Sequence, residues 1–292
     1  MRAAVKQKCD DLGLQQRLIL HYSRMADWLE TRPWYRDKNV ANTVCSLFPV
    51  NPSRVLELCC GTGLLLETLS SIFPRTEFIG VDISPRMVER AQERLSHRSN
   101  VLVLKQDWVY ELAPEWEHAF DVIVVKNALH VLDNVITKLK DLRRVSCDRT
   151  TLIIVETVSP NVDANEFIKR LFQFADPEHL KQTFFTERTL TSALKEAFWF
   201  MAQYRPTYVR QHIDTEDWLT QKCAERPALE SARKLLSEIR NLRVRQALDF
   251  DTDPGVVPTR MLRLQYIARH MLTATEIKAE SQKADSVQLQ LL

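Results

Sequence analysis

Apolar residues at Leu14, Leu18, Tyr22, Met25, Trp28 and Leu29 recur at three- and four-residue steps. That spacing puts side chains on one face of an amphipathic helix. Pro33 interrupts the segment, and a second helix is predicted over Asp37–Leu47, ahead of Pro49 and Pro52. Residues 1–50 therefore read as an N-terminal helical cap. From Ser53 the texture changes. Short apolar runs at Arg54–Leu58, Thr76–Val81, Val101–Leu104, Phe120–Val125 and Thr151–Val155 have the length of strands. Helical patterns fall between them at Leu64–Phe73, Pro85–Ser96 and Val135–Val145, and Pro85 sits at a first helical turn after Ser84 as cap. Strands alternating with helices predict βαβ units and a parallel sheet, with right-handed crossovers placing helices on both faces.

Beyond Glu156 the alternation loosens. Residues 160–185 are rich in aromatics (Phe167, Phe172, Phe174, Phe184, Phe185), and a helix capped by Thr186 is predicted over Thr186–Ala197. A strand over Phe198–Tyr208, a charged helical stretch over Thr215–Arg245, a late strand over Met261–Ile267 and a polar tail at 273–292 complete the chain. The layout expected is a cap at 1–50, one α/β domain at 51–272 with helical insertions near 160–185 and 214–250, and a tail at 273–292.

Composition narrows the function classes. Of 292 residues, 45% are hydrophobic and 27% charged, the make-up of a globular protein large enough to bury its own core. With 40 basic against 38 acidic residues the net charge is +2, and the charges are interspersed. Beyond a local patch such as Arg233–Arg245, no concentrated basic footprint of a nucleic-acid binder is visible, so nucleic acid is not the expected partner. No apolar run has membrane-spanning length and the first residues lack a signal-peptide core; no membrane insertion and a cytoplasmic location are expected. Six cysteines are scattered without a C-x-x-C pair, so neither a metal site nor a disulfide framework is indicated.

The chain has only five glycines, yet Gly61 and Gly63 flank a single residue. They close the run Val55-Leu56-Glu57-Leu58-Cys59-Cys60-Gly61-Thr62-Gly63, a strand, a tight turn and a helix start. Such a turn brings backbone N–H groups close to a ligand, at the strand-end crevice where open α/β sheets bind. Asp82 ends the next apolar run, where a carboxylate is placed to accept from ribose hydroxyls. Asp107, before Trp108, ends the third and is placed to meet an adenine amino group. A nicotinamide dehydrogenase would want a third small residue for close helix–strand packing, and Leu66 stands there instead.

This series resembles the class I S-adenosylmethionine-dependent methyltransferases. Their acidic-x-Gly-x-Gly-x-Gly motif is matched by Glu57-Leu58-Cys59-Cys60-Gly61-Thr62-Gly63, departing at Cys59, where the family has its first glycine. The resemblance covers residues 53–156 and, less specifically, the segment ending near residue 270. It implies a Rossmann-like, doubly wound, mostly parallel seven-stranded sheet with an N-terminal helical cap and a helical lid insertion. The implied cofactor is S-adenosyl-L-methionine, with S-adenosyl-L-homocysteine as product. By the same resemblance Glu57 orients the methionine moiety through the glycine loop, Cys59, Gly61 and Gly63 form that loop, Asp82 with Ile83 holds the ribose, and Asp107 and Trp108 flank the adenine. Phe120–Leu132 resembles the family's fourth strand and the loop after it, which reaches the reacting methyl.

The reaction expected is in-line transfer of the methyl group to an O, N or C atom of a small organic acceptor, in the style of quinone-precursor or secondary-metabolite enzymes. His130 reads either as a general base or acceptor-orienting group, or as a packed loop histidine. His212, near the predicted lid, has the same two readings. Tyr22 either closes over the cofactor or packs with its helical neighbours; Lys126 and Asn127 either touch cofactor or acceptor, or lie in a solvated loop. The signature Asn/Asp-Pro-Pro-Tyr/Phe of amino-methylating relatives does not occur. A catalytically silent binding or scaffold protein and an RNA or protein methyltransferase are the alternatives carried, and the helical N-terminus is compatible with a homodimer.

Overall fold

A computed structural model describes residues 2–32, 35–36, 38–109, 112–159, 161–175, 185–199, 201–223, 226–239, 242–248 and 256–268. The predicted tail at 273–292 lies outside the described residues, as does the stretch 176–184 of the first insertion. Two helices open the chain, α1 (Arg2–Glu30) and α2 (Lys38–Cys45). There follow β1 (Arg54–Leu58), α3 (Leu64–Ile72), β2 (Glu77–Asp82), α4 (Pro85–Leu95), β3 (Val101–Lys105), β4 (Phe120–Lys126), α5 (Val135–Asp141) and β5 (Ser146–Ser159). The second half holds α6 (Val162–Ala175), β6 (Phe185–Thr186), α7 (Glu187–Glu196), β7 (Met201–Asp214), α8 (Thr215–Lys222), α9 (Arg226–Ser237), α10 (Leu242–Leu248) and β8 (Val256–Ala268).

One sheet runs β3-β2-β1-β4-β5-β8-β7, with the two-residue β6 pairing onto the end of β5. β1 to β5 are mutually parallel, and β8 lies antiparallel between β5 and β7. The doubly wound, mostly parallel sheet expected from the sequence is thus present. The chain steps outward from β1 to β3 and then returns to the other side of β1 as β4, and a crevice opens at the carboxyl ends of the strands on either side of such a reversal.

Both faces of the sheet are covered, which explains why the strands read as continuous apolar runs. Successive strand residues point to opposite faces, and the two cores sort accordingly. Leu56, Leu58, Ile79, Val81, Ile123, Val125, Leu152 and Ile154 pack with Trp108, Trp116, Leu139 and Trp199 on one face. Val55, Phe78, Val122, Val124, Ile153 and Val155 pack with Val44, Leu65, Leu69 and Ala91 on the other. Ala164, Phe167 and Val244 form a separate small core joining α6 and α10.

Local signals fix the element ends. Ser84 Oγ accepts from Met87 N–H at 3.3 Å with Pro85 at the first position of α4. Thr186 and Thr189 form a reciprocal capping box on α7, satisfying two backbone donors that would otherwise be orphaned. Three elements depart from the pattern expected. The helical stretch 215–245 is divided into three helices among the described residues, and α9 restarts at Arg226-Pro227, where proline supplies no N–H to an ongoing helix. β5, β7 and β8 run beyond their predicted limits: the antiparallel pairings of β8 reach Val158 of β5 and Asp214 of β7, the start of β5 pairs with β4, and β7 begins at Met201 rather than Phe198. α5 ends at Asp141, and its last predicted turn is a 3-10 turn over Leu142–Arg144.

The cap helix α1 lies along α4. Arg86, Arg90 and Arg94, spaced four apart and so on one helical face, meet acids of α1: Asp27 sits 3.1 Å from Arg86 and 2.6 Å from Arg90, and Glu30 lies 2.8 Å from Arg94. Among the described residues no helix is long and apolar enough to cross a membrane.

Candidate functional site

The carboxyl ends of β1, β2, β3 and β4 converge on the glycine turn. After Leu58 the chain enters the left-handed region three times, at Cys59 (φ 54), Gly61 (φ 56) and Gly63 (φ 79). Gly63 caps α3 in that conformation, and a side chain there would also press on Ala91 and Leu95 of α4. A Cβ at Gly61 would stand 2.7 Å from the Tyr35 hydroxyl, so both glycines are demanded by conformation and by space. Cys59 occupies a glycine-like conformation without being glycine. Its Sγ accepts from Trp108 Nε1–H at 3.2 Å, tying the first turn to the loop after β3.

Asp82 is the hub of the turn. Its carboxylate accepts from Gly61 N–H at 3.0 Å and from Ser84 N–H at 2.9 Å. Burial pushes its pKa up to about 6, against the pull of the N–H groups of Ser84, Gly61 and Ile83. A carboxylate has about four acceptor positions, so two bonds leave capacity for the hydroxyls of a ligand.

Glu57 is fully buried within β1, and neither carboxyl oxygen has a hydrogen-bond partner among the described residues. It lies between Gly80 of β2 and Val124 of β4. Burial holds its pKa well above the usual carboxylate range, with Lys126 pulling it down and Asp82 pushing it further up. An orphaned buried carboxyl costs several kcal/mol in general, and Asp82 is near enough for its charge to act on it.

The close helix–strand approach that a dinucleotide fold secures with a glycine on the helix is secured here on the strand. Leu66 of α3 projects onto Gly80, where a Cβ would come within 2.5 Å of Leu66 Cδ1 and 3.1 Å of Cys60 Sγ.

The remaining predicted residues distribute as follows. Ile83 follows Asp82, half-buried. Asp107 accepts from Val109 N–H and from Gln15 Nε2 of α1 at 2.7 Å, and burial raises its pKa. Trp108 is buried against Cys59. Lys126 ends β4 with its ammonium 5.5 Å from the Tyr35 ring centre, a cation–π distance. Asn127 takes a left-handed turn (φ 50) and donates its N–H to Val155 at 2.7 Å. Tyr22 lies half-buried on α1, edge-on to His21 at 5.1 Å. His130 sits in a 3-10 turn after β4, its Nδ1 2.7 Å from Glu156 Oε1. His212 falls on β7 opposite Pro258, and its side chain lies outside the described residues.

The structure thus gathers Glu57, Cys59, Gly61, Gly63, Asp82 and Trp108 around one turn, and adds residues the sequence reading did not single out. Tyr35 reaches the glycine loop: its hydroxyl lies 3.3 Å from Thr62 Oγ1 and accepts from Thr62 N–H. Burial pushes its pKa up to about 12. Arg94 Nε–H donates to the Thr62 carbonyl at 3.0 Å while pairing with Glu30 and Glu67. Glu156 is fully buried near the end of β5. Its signal in the sequence was an acid following the apolar run Leu152–Val155, the same signal that marked Asp82. Tyr35 carried no signal, because its proximity is created by the turn between α1 and α2. Among the described residues no cluster of His, Cys, Asp and Glu is placed to hold a metal.

Comparison with known proteins bears on this edge. Residues 56–152 match the family model described as a methyltransferase domain. A demethylmenaquinone methyltransferase from Thermotoga maritima is 28% identical over 128 residues, 44% of this chain and 53% of the relative. The chain spans about half the length of the curated relatives it matches. The YcgJ protein of Bacillus subtilis has the same fold with a TM-score of 0.66 at 18% identity, covering 80% of this chain and 100% of that one. A putative methyltransferase of Bacillus halodurans gives 0.68 at 16% identity, with 80% and 99% covered.

Proposed function

We propose that this chain, whose residues 56–152 match a methyltransferase domain, is a class I S-adenosylmethionine-dependent methyltransferase that binds S-adenosylmethionine at the glycine turn and transfers its methyl group to a small organic acceptor. The observation that carries this reading is the pairing of an orphaned buried carboxyl, Glu57, with a glycine turn whose backbone is bonded to Asp82. Such an edge suits a ligand that is cationic at one end and offers hydroxyls at the other. Glu57, Asp82 and Asp107 bring acid to this edge, while Lys126, whose ammonium lies over the Tyr35 ring, also acts on Glu57.

In this reading Gly61 and Gly63 let the backbone approach the methionine moiety, Asp82 accepts from the ribose, and Asp107 accepts from the adenine amino group now mimicked by the Gln15 amide. When bound, the sulfonium supplies an activated methyl carbon, so the protein needs neither metal nor covalent intermediate. The chain's own contribution is alignment, which in well-oriented reactions is worth roughly 7–11 kcal/mol. Tyr35, packed on Thr62 and Gly61, shields that end of the cradle from water.

A small acceptor fits the near-balanced charge, +2 overall, and the likeness to enzymes named demethylmenaquinone methyltransferase. The test is calorimetric titration with S-adenosylhomocysteine and S-adenosylmethionine. Micromolar binding that disappears in Asp82→Ala supports the reading. No heat with either ligand sinks it.

A further inference from the structure

We propose that Glu156 and His130 form a base at the acceptor side of this site, Glu156 positioning the imidazole and His130 Nε2 removing a proton from an acceptor that carries an acidic hydroxyl, a phenol or an enol. This deepens the reading above and rests on it.

The geometry comes from the two strands flanking the crevice on the side of β4. Lys126, the last residue of β4, pairs with Val155 of β5, and the chain turns back so that Asn127 N–H still donates to the Val155 carbonyl at 2.7 Å. The next residue of β5 is Glu156, which therefore lies at the level where β4 gives way to its loop. That loop folds into the 3-10 turn Leu129–Val131 over the carboxyl group. Glu156 Oε2 accepts from Leu129 N–H at 2.9 Å and Oε1 stands 2.7 Å from His130 Nδ1. The carboxyl group is fully buried while the imidazole keeps 24% of its surface exposed.

Both contacts restrict the histidine. The Leu129 N–H donates to the carboxylate, which is left as an acceptor toward the ring, so the short contact places the imidazole proton on Nδ1. The lone pair of the neutral ring then sits on Nε2, the nitrogen that does not face Glu156. A buried carboxylate that fixes tautomer and orientation for a partly exposed imidazole is the arrangement that makes histidine an effective base. A merely packed histidine needs no buried acid, and burying one without a role is costly.

The acceptor class follows from the chemistry of the step. A sulfonium methyl group is taken by an electron pair, and an amine free base or a thiolate already presents one. A phenol or enol does not until its proton leaves. The acceptor oxygen gives that proton to Nε2, and the freed pair, on oxygen or on the conjugated carbon, forms the bond to the methyl carbon, displacing a neutral thioether. The imidazolium, stabilised by Glu156, returns the proton to water.

Two readouts on the intact chain test this without relying on turnover. Long-range proton–nitrogen correlation spectra of the nitrogen-15-labelled protein, with His130 assigned by loss of its signals in His130→Gln, report the tautomer. The expected result is a protonated Nδ1 and an unprotonated Nε2, with this preference lost in Glu156→Gln, whose amide can face the ring with either end. An Nε2–H tautomer in the parent, or an unchanged one in Glu156→Gln, overturns the positioning role.

The acceptor class is read with 4-nitrophenol, whose phenolate is yellow, added to protein loaded with S-adenosylhomocysteine. A phenolate band stronger than in buffer, abolished in His130→Gln, supports a base facing a hydroxyl. No change in the band overturns the acceptor class. Calorimetry with S-adenosylhomocysteine on both variants separates the two readings: binding retained with no phenolate band refutes the base alone, whereas loss of binding in the parent refutes the cofactor site.

Discussion

Cys59 departs from the glycine that its resemblance leads one to expect, yet its backbone is left-handed, with φ 54. For a non-glycine residue that conformation costs roughly 1–2 kcal/mol, because Cβ crowds the following carbonyl. Against this stands the Trp108 indole N–H, which donates to Cys59 Sγ at 3.2 Å and is buried with its ring. Leaving such a donor unpaired costs about 1–3 kcal/mol. The two effects are separable by substitution. Cys59→Ala keeps the strain and orphans the indole, so it loses the bond with nothing in return. Cys59→Gly also orphans the indole but relieves the strain, offset by roughly 0.4–1 kcal/mol for the extra freedom of glycine in the unfolded chain. The glycine variant is therefore expected to be more stable than the alanine variant by about 0.5–1 kcal/mol, and both to be less stable than, or equal to, the parent.

Urea unfolding with a common m-value measures these differences directly. On a Trp108→Phe background, where no donor remains to be orphaned, Cys59→Gly is expected to become neutral or stabilising, and the cycle isolates the sulfur–indole contribution. An alanine variant as stable as the glycine variant would refute the argument: the turn would then not demand a left-handed residue at 59, and the motif's first position would be open to ordinary side chains.

Three further outcomes follow from the packing and charge of the site. Gly80→Ala drives a methyl group against Leu66 and Cys60 and is expected to destabilise by about 1–3 kcal/mol, as overpacked cores do; a thermal midpoint unchanged within error would contradict it. Arg94→Ala removes the donor to the Thr62 carbonyl and the partner of Glu30 and Glu67 together; a loss of roughly 1–3 kcal/mol and weaker S-adenosylhomocysteine binding are expected, whereas an intact affinity would mean the loop holds its shape unaided. The affinity for S-adenosylhomocysteine is expected to fall about tenfold per pH unit below the Asp82 pKa of about 6, since a protonated carboxyl accepts poorly from ribose. The same raised pKa lowers the stability of the ligand-free protein as pH rises from 3.8 to about 6, so affinity and stability move in opposite directions across that window.

The alternation of apolar runs with helical patterns was enough to read β1 through β5, because strands buried on both faces are apolar throughout and the intervening helices are amphipathic. The caps at Ser84 and Thr186 were legible for the same reason, since the bond that makes each one spans three residues. Glu57, Gly61, Gly63 and Asp82 were legible because each violates its local pattern: an acid within or closing an apolar strand, or a glycine in a chain that has few. The Tyr35 contact with Thr62 spans 27 residues, and that of Gln15 with Asp107 spans 92. These depend on how α1 folds over α4, which the one-dimensional pattern does not encode. His130 was visible, but the partner that gives it a role sits 26 residues away on the neighbouring strand, and only the β4–β5 register brings the two together.

Two acids of the sheet, Glu57 and Glu156, are fully buried, and their different surroundings make a last prediction. Glu156 is answered by a backbone N–H and an imidazole, so it helps hold the loop. Glu57 has no hydrogen-bond partner among the described residues, and its pKa stands well above the usual value of 4.5. A carboxyl whose folded pKa is raised opposes folding once the unfolded chain ionises, so stability falls as pH rises above about 4.5 until the folded group ionises too. Glu57→Gln removes that ionisation penalty. The variant is expected to be more stable than the parent by an amount that grows with pH through the neutral range, reaching on the order of 1–3 kcal/mol, while losing affinity for S-adenosylhomocysteine. Unfolding free energies at acid and neutral pH, with calorimetry beside them, decide it. If Glu57→Gln is destabilising at every pH, the carboxyl is a structural group of the ligand-free fold. A gain in stability paired with a loss of affinity would mean that the strand carries an acid at the expense of its own stability because the ligand needs one there.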